Sequence, residues 1–502
     1  MGLRESPYSS RFLGSLDTGL RQIFFPSYWL ASQLLALQQT TAEKRTRARL
    51  ALRVVVWGPP LLLLLLLYAP VVLLALLVWL PLQAARRPFA YLHTPARAPP
   101  EPWVLPGQAR AVSLLSGNVC LLPEGLAKFS NLWRTQWRAA HIAQSLAQVA
   151  QLSTYCVPAA PPDVPHKPPG PPASPRSQPQ WDADMTVEKA EAAAVAANGP
   201  WEISACFPHN IDFLFLQEVF DLQASAHLCQ LLGPHFEHIV YDVGTYGLQA
   251  CSALKMLNSG LFLASRYPLL AVAFHCYPNG TGEDAFSAKG LLCAQVQLGA
   301  CQGQRVVGYL YCTHLHAHEA DGPIRCDQLS LGLLWVQLFQ DAHAQPGDVV
   351  AFDIYCGDLN FDTCSSVDEM EQGHEIFSLY TDPCRISPQK DKPWAIGTLM
   401  NYLRIYDEAV ATPENLKRTL ENPEERRKYL AGPILADGCP SPSAPSHEGR
   451  RIDYTLYREH PGPVALQTTV EKVFFITQLA TCSDHLPIGL RLLVSSVAEP
   501  EV

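Results

Sequence analysis

Charge is scarce in this chain. Asp, Glu, Lys and Arg make up 17% of its 502 residues, against roughly 25% in an average soluble protein. From Val54 to Ala85 there is no charged residue at all. That run exceeds the ~20 residues with which a helix crosses a bilayer, and it excludes a uniformly soluble surface. No CxxC pair occurs among the 15 cysteines. An odd, scattered set of this kind argues against a disulfide framework or a zinc site and for a reducing compartment. None of the 15 precedes Cys120, which leaves the N-terminal region no thiol for palmitoylation.

The charge that is present is divided unevenly. The first 100 residues carry 11 Lys+Arg and 3 Asp+Glu, a balance of +8. With 37 basic and 46 acidic residues overall, the other 402 carry −17. An acidic body argues against a nucleic-acid binder that works through its whole surface. Within the basic head, Pro59, Pro60, Pro70 and Pro81 interrupt the apolar run, and each removes a backbone donor. Leu61–Tyr68 and Val71–Leu80 therefore read as two arms of a re-entrant hairpin, set ahead of one straight span. Lys44, Arg45, Arg47, Arg49 and Arg53 before the run, and Arg86 and Arg87 after it, favour keeping both ends on an anionic lipid face. These seven are the candidate lipid-binding residues. Ile23–Leu37, with Phe24, Phe25, Tyr28 and Trp29, suits the membrane interface. The main run starts too far from Met1 for a cleavable signal peptide.

Ten of the 22 residues from Pro158 to Pro179 are proline, an extended connector. Folded-looking sequence lies on both sides, so the expectation is a head over 1–100 and one domain over 110–493. The Pro/Ala-rich stretch 158–200 is then an insertion within that domain, and 494–502 a tail. A second soft stretch runs from Ala436 to Gly449. The sequon Asn279-Gly280-Thr281 reads as a turn.

Five segments carry the chemistry: "SGNVCLLPE" after Ala111, "DFLFLQEVF" from Asp212, "VVGYLYCTHLH" from Val306, "VVAFDIYCGDLNFD" from Val349, and the pair "RRIDYTLY" and "TCSDHLP". Each of the first four is an apolar, strand-like run ending in polar residues, the way α/β proteins build sites at strand ends. Hard oxygen ligands suit Mg²⁺, and Glu218, after Phe213–Leu216, is the best first ligand, with Asn118 weaker. Asp358 and Asn360, two apart, point to one side of an extended chain; one can hold an attacking water while the other steadies charge on a phosphoryl oxygen. His485 is the natural general base if a carboxylate such as Asp453 fixes its tautomer.

Taken together, "LQEV", "THLH", "GDLNFD", "RIDY" and "SDHLP" resemble the endonuclease/exonuclease/phosphatase superfamily, the fold of DNase I. "NVCLLPEGLAKFSNLWRTQWRA", "YDVGTYGLQACSALKMLNSGLFLASRYP" and "DKPWAIGT" narrow the resemblance to the large membrane-bound neutral sphingomyelinases, and the short Pro-rich insertion to their mitochondria-associated branch. The resemblance implies an α/β (α+β, four-layer) fold, a two-sheet β-sandwich flanked by helices behind an N-terminal membrane anchor. It implies hydrolysis of sphingomyelin to ceramide and phosphocholine with Mg²⁺, Mn²⁺ being a substitute ion, at a mitochondrial or endoplasmic-reticulum membrane. Asn118 and Glu218 would lie at the metal. Asp358 and Asn360 would orient water and stabilise the transition state, His314 would contact phosphate, and His485 would be the base with Asp453 orienting it. Asp484 would orient the base or reach the metal. Asp284 and Lys289 of "EDAFSAKG" fit the family pattern too, as a switch in which Lys289 reaches substrate once its loop rearranges. His316 and His318 read as surface bystanders. Phosphatidylserine or cardiolipin would activate through the basic head.

Two rivals stand beside this reading. One is a different phosphohydrolase of the same fold, acting on another phospholipid, a lyso-lipid, an inositol phosphate or a nucleic acid. The last is disfavoured by the −17 body, and an inositol polyphosphate by the lack of any basic run beyond Arg450-Arg451. The other is a non-enzymatic membrane scaffold, disfavoured because every expected acid, base and metal position is filled.

Overall fold

A computed structural model of the chain describes residues 3–46, 50–95, 100–104, 108–155, 199–247, 254–301, 303–435, 448–461 and 464–496. Nearly all of the expected insertion over 158–200, most of the 436–449 stretch and most of the tail lie outside the described residues.

The head begins with helix α1, Arg11–Leu35, capped by the Ser10 hydroxyl, which accepts from the Phe12 N–H. Helix α2, Leu50–Gln83, is one continuous helix through all four prolines. This corrects the two-armed reading of the run. A proline deletes one ladder bond, but in an apolar segment with a helix alongside the remaining bonds hold. The reversal falls earlier, between α1 and α2, which lie antiparallel: Gln83 Nε2 donates to Asp17 Oδ1 (3.2 Å), while Leu37 sits beside Gly58. From Val54 to Gln83 α2 is long and apolar enough to cross a membrane. Its leucines at 62, 63, 64, 66, 67, 73, 74 and 77 are exposed, which a helix facing water would not tolerate.

Beyond the head come strands β1 (Ala90–His93), β2 (Trp103–Val104), β3 (Arg110–Asn118), β4 (Trp201–Ser204), β5 (Phe213–Gln217), β6 (His238–Tyr241), β7 (Phe262–Ser265), β8 (Leu269–Cys276), β9 (Gly290–Cys301), β10 (Gln304–His314) and β11 (Val349–Asp358). A small hairpin follows, β12 (Arg385–Ser387) with β13 (Lys390–Asp391), and then β14 (Asp453–Arg458), β15 (Leu466–Ile476) and β16 (Ile488–Ser496). They build an eight-stranded sheet, β1-β6-β7-β5-β3-β16-β15-β4, and a six-stranded sheet, β14-β11-β10-β9-β2, with β8 on β9. Alternation along the strands decides the layering. Val112, Leu114, Phe213 and Phe215 point into the space between the sheets and meet Leu310, Phe352, Ile354 and Cys356. Leu115, Leu214 and Leu216 point the other way, into a core closed by helices α3 (Thr135–Tyr155) and α4 (Leu222–Leu232). Helix α5 (Gly322–His343) covers the second sheet through Leu329, Val336 and Phe339. Helix, sheet, sheet and helix give the four layers expected. No disulfide joins the cysteines whose side chains are described.

The head is keyed into the body by charge as well as by apolar contact. Arg86 is buried, not lipid-facing as its flanking position suggested. Its guanidinium donates to the carbonyls of Gly244 and Asp242 (both 2.8 Å) and to Asp242 Oδ2 (2.7 Å). Arg21 of α1 reaches the same carboxylate at 3.3 Å. Burial would raise the Asp242 carboxyl, but Arg86 and then Arg21 outweigh it and hold it below its ordinary range. Arg87 is spent on the Arg4 carbonyl and on the Phe89 ring. Lys44 is exposed, and the side chains of Arg45, Arg47, Arg49 and Arg53 lie outside the described residues. Replacing Arg86 by Gln leaves a buried carboxylate to the more distant Arg21 and should cost about 3 kcal/mol at neutral pH. A carboxyl whose folded pKa is depressed stabilises fully above its unfolded pKa, and the stabilisation fades as pH falls toward the folded value. The gap in melting temperature between wild type and R86Q should therefore be largest near pH 7 and narrow below about pH 4.

Candidate active site

Three acceptor side chains stand abreast at one end of the second sheet. His314 closes β10, Asp358 closes β11 and Asp453 opens β14, and strand register places them in one row, His314 opposite Asp358 and Asp358 opposite Asp453. Gly357 makes the row possible: its φ is +140°, and a Cβ there would lie 1.9 Å from the Thr313 carbonyl oxygen. The first sheet faces this row with Asn118 at the end of β3 and Glu218 just after β5. Glu218 turns at φ +61°, and its backbone crowds against Gly260, where any Cβ would meet the Glu218 Cα at 2.9 Å. A strained, non-glycine turn held this tightly is characteristic of functional positions.

The two sheets are joined across the site by one amide. Asn118 Nδ2 donates to Glu218 Oε1 and to Asp358 Oδ2, both at 2.9 Å, while its Oδ1 accepts from the Cys120 N–H. Two carboxylates are thus drawn together where water is scarce. Burial and then Asp484 push Glu218 above its ordinary range. Burial pushes Asp358 up to about 7, with His485 opposing and Asp453 adding to the rise. His314 Nε2 lies 3.6 Å from Asp358 and 4.0 Å from Glu218. Burial and the neighbouring Lys289 ammonium hold this imidazole well below its usual pKa, so it is neutral.

On the far side of Asp358 is a histidine with its own carboxylate. His485 Nδ1 and Asp453 Oδ2 are 2.9 Å apart, and Nε2 lies 3.9 Å from Asp358 Oδ2. Burial lowers the His485 pKa, yet Asp453, Asp358 and Asp484 outweigh it and raise it well above the ordinary value. Asn360, at φ +56°, caps Asp358 with its backbone N–H (3.0 Å) and donates Nδ2 to the Leu315 carbonyl (3.0 Å). Lys289 Nζ contacts Asp284, His314 Nε2 (3.2 Å) and the Leu315 carbonyl (2.9 Å). A hard, anionic oxygen pair beside neutral imidazole suits a Mg²⁺-type ion bound through one or two carboxylates. Beside the Glu218 loop, Phe24, Phe25, Tyr28 and Trp79 of the head and Phe220 and Met256 of the body line a cavity of about 230 Å³.

Residues 12–85 match the neutral sphingomyelinase N-terminal transmembrane region, and residues 180–485 match the endonuclease/exonuclease/phosphatase family. Sphingomyelin phosphodiesterase 5 of Danio rerio is 39% identical, covering 99% of this chain and 100% of that protein. The chain belongs to the neutral sphingomyelinase family. It is a phosphodiesterase, on the DNase I-like fold. Sphingomyelin phosphodiesterase 3 of Mus musculus is 35% identical over 99% of this chain and 100% of that protein. Beta toxin of Staphylococcus aureus, crystallised with bound magnesium ions, is 16% identical, with a TM-score of 0.40, covering 76% of this chain and 99% of that one.

In this neutral sphingomyelinase the structure gathers Asn118, Glu218, Lys289, His314, Asp358, Asn360, Asp453 and His485 at one place, with Asp284 behind Lys289. Asp484 raises the Glu218 pKa through its charge, while the carboxylate that accepts the hydrogen bond from the His485 ring is Asp453. Asn118 presents nitrogen to the carboxylates while its oxygen accepts from the Cys120 N–H, so it positions Glu218 and Asp358. One expectation changes. His316 is no surface bystander: it is 2% exposed, 3.1 Å from Asp284 and 2.8 Å from Asp321. His318 is exposed, as expected. Sequence reasoning missed two hydroxyls. Ser483 Oγ donates to the Asn118 carbonyl (2.7 Å) and accepts from the His485 N–H (3.1 Å), tying base to carboxylate clamp. Thr398 Oγ1 accepts from the N–H groups of Ile452 and Asp453 (3.1 and 3.2 Å). The "SDHLP" and "IGT" contexts hold both, but a hydroxyl beside a turn carries no signal of a partner 365 residues away.

Ser483→Ala should lower kcat about tenfold through displacement of His485. The loss of stability should be near 1 kcal/mol, measured by turnover and melting on one preparation. Lys289→Ala should reduce turnover while the chain still folds, measured in the same way.

Proposed function

We propose that the chain hydrolyses sphingomyelin to ceramide and phosphocholine at a membrane surface, with Mg²⁺ bound by Glu218 with Asp358 beside it. The observation that carries the reading is the His485–Asp453 pair set 3.9 Å from Asp358, on the side away from His314. Asp453 fixes the tautomer, its carboxylate holding the proton on Nδ1 and leaving Nε2 turned toward Asp358. Compensating the charge on Asp358 removes one of the carboxylates that keep His485 protonated, and Nε2 becomes a base for water. Water gives a proton to His485 Nε2 and attacks phosphorus in line; the P–O bond to the ceramide oxygen breaks, that oxygen takes a proton from solvent, and His485 returns its proton to solvent. Mg²⁺, when bound, supplies stabilisation of charge on the phosphoryl oxygens. Asn360 steadies the same oxygens, and His314, neutral, donates or accepts at the phosphate. Lys289 lies within this circle but is held by Asp284, so its ammonium reaches phosphate once the 282–286 segment shifts. The relatives named for sphingomyelin phosphodiesterase activity support the substrate, as does an apolar cavity at the junction of head and site.

An inositol polyphosphate substrate is disfavoured on a specific ground. Arg450 is paired with Asp362 at 2.7 Å, and Arg451 with Asp382 and Asp391 at 2.8 Å, all deep in the body. That pair therefore serves the fold and is not a phosphate cradle.

On mixed vesicles with Mg²⁺, wild type should release phosphocholine from sphingomyelin in preference to phosphatidylcholine. Asp453→Asn should reduce the rate by about 10³–10⁴, by analogy with other His–Asp pairs, and His485→Ala by at least as much. Activity of His485→Ala near wild type would reject the assignment of the base. Activation by phosphatidylserine or cardiolipin through Lys44, Arg45, Arg47, Arg49 and Arg53 belongs to the same reading. Neutralising these five should remove the stimulation by anionic vesicles while leaving the rate on neutral vesicles; equal stimulation of both proteins would reject it.

A further inference from the structure

The edge of the eight-stranded sheet carries a second group of metal-type side chains. In the β1–β6 ladder His93 lies directly opposite His238, so both side chains stand on one face. Their rings stack at 5.0 Å with planes 22° apart. Glu237 precedes His238, and its backbone carbonyl accepts from the Thr94 N–H, which brings its carboxylate back over His93; Oε1 and His93 Nε2 are 2.9 Å apart. One ligand atom from each of the three residues falls within a sphere in which no two are more than 4.8 Å apart.

His238 shows what the group is prepared for. It is 6% exposed, and its Nε2 is buried with no hydrogen-bond partner. A buried orphan nitrogen is costly unless something meets it. Its other nitrogen, Nδ1, is 2.7 Å from the Tyr91 hydroxyl. With Nδ1–H donating to Tyr91, Nε2 carries a free lone pair, the outer-sphere arrangement that orients metal-binding imidazoles. Burial also holds the ring pKa down to about 4, so it is neutral near pH 7. His93 and Glu237 are the more exposed members and are free to close in by about an ångström, which bond lengths near 2.0–2.2 Å require.

We propose that His93, Glu237 and His238 bind a first-row transition ion of the zinc class, with water completing the coordination. Two imidazoles and one carboxylate select such an ion over Mg²⁺. The site is separate from the catalytic carboxylates. His238 pairs with Ser265 and Ser265 with Phe213, which puts it level with the start of β5, whereas Glu218 follows the end of that strand. Because β1 is the first strand after the membrane helix, the bound ion clamps the connection from head to body onto the sheet edge.

Titration of the full-length protein with Co²⁺ in excess Mg²⁺ tests this, the Mg²⁺ keeping the catalytic carboxylates filled. Wild type should develop the visible bands of four- or five-coordinate Co²⁺, saturating at one equivalent and displaced by Zn²⁺. His93→Ala, at an exposed side chain, and Glu237→Gln, at a half-buried one, should each lose at least tenfold in affinity. Tyr91→Phe should lose about tenfold. Phosphodiesterase activity in Mg²⁺ should be unchanged in His93→Ala. Absence of the bands in wild type, or an identical titration in His93→Ala, would overturn the proposal.

Discussion

The site depends on one amide holding two carboxylates together. Glu218 and Asp358 belong to different sheets, and buried like charges repel strongly where water is scarce. Asn118 donates a hydrogen to each, so the facing sheets are pinned at the point where a cation is wanted. Everything nearby serves that pinning. Gly260 lets the chain fold tightly around Glu218, Gly357 lets β11 approach β10, and Ser483 holds Asn118 through its backbone while carrying the base. In the proposed function, residual repulsion is what makes the pair a cation site: an ion placed there relieves it.

The head is continuous with this arrangement. Tyr28 of α1 donates to Asp221, which caps α4 and lies three residues past Glu218. Trp79 of α2 packs edge-on against Tyr246 at 5.6 Å, and Arg86 lies over the same ring at 4.9 Å. The loops flanking Glu218 and Asp242 are therefore shaped in part by helices whose remaining surface is fit for lipid. Substrate that lies in a bilayer is met by a site built against the membrane anchor, which is why the basic head and the acidic body are one machine and not two attached pieces.

Much of this was legible in the sequence, because strand-end residues announce themselves. An apolar run that stops at Glu, His-Leu-His or Asp-Leu-Asn leaves few places for the polar group but the rim of a sheet, and the order of such runs matched a known fold. What was illegible depended on partners far along the chain. Arg86 reads as a membrane-flanking charge until Asp242 appears beside it; Arg450-Arg451 reads as a basic pair until three aspartates bury it. His316 looked like a surface imidazole because nothing in "THLH" reveals Asp284 and Asp321. The four prolines argued for a broken helix by local propensity, and apolar surroundings with α1 alongside overrode it.

The central claim is that Glu218 and Asp358 form a cation site held by Asn118, and Mg²⁺ binding tests it without reference to turnover. Calorimetric titration should give saturable Mg²⁺ binding to wild type, weakened at least tenfold in both Glu218→Gln and Asn118→Ala while each variant melts cooperatively. Wild-type affinity in folded Glu218→Gln would contradict the account.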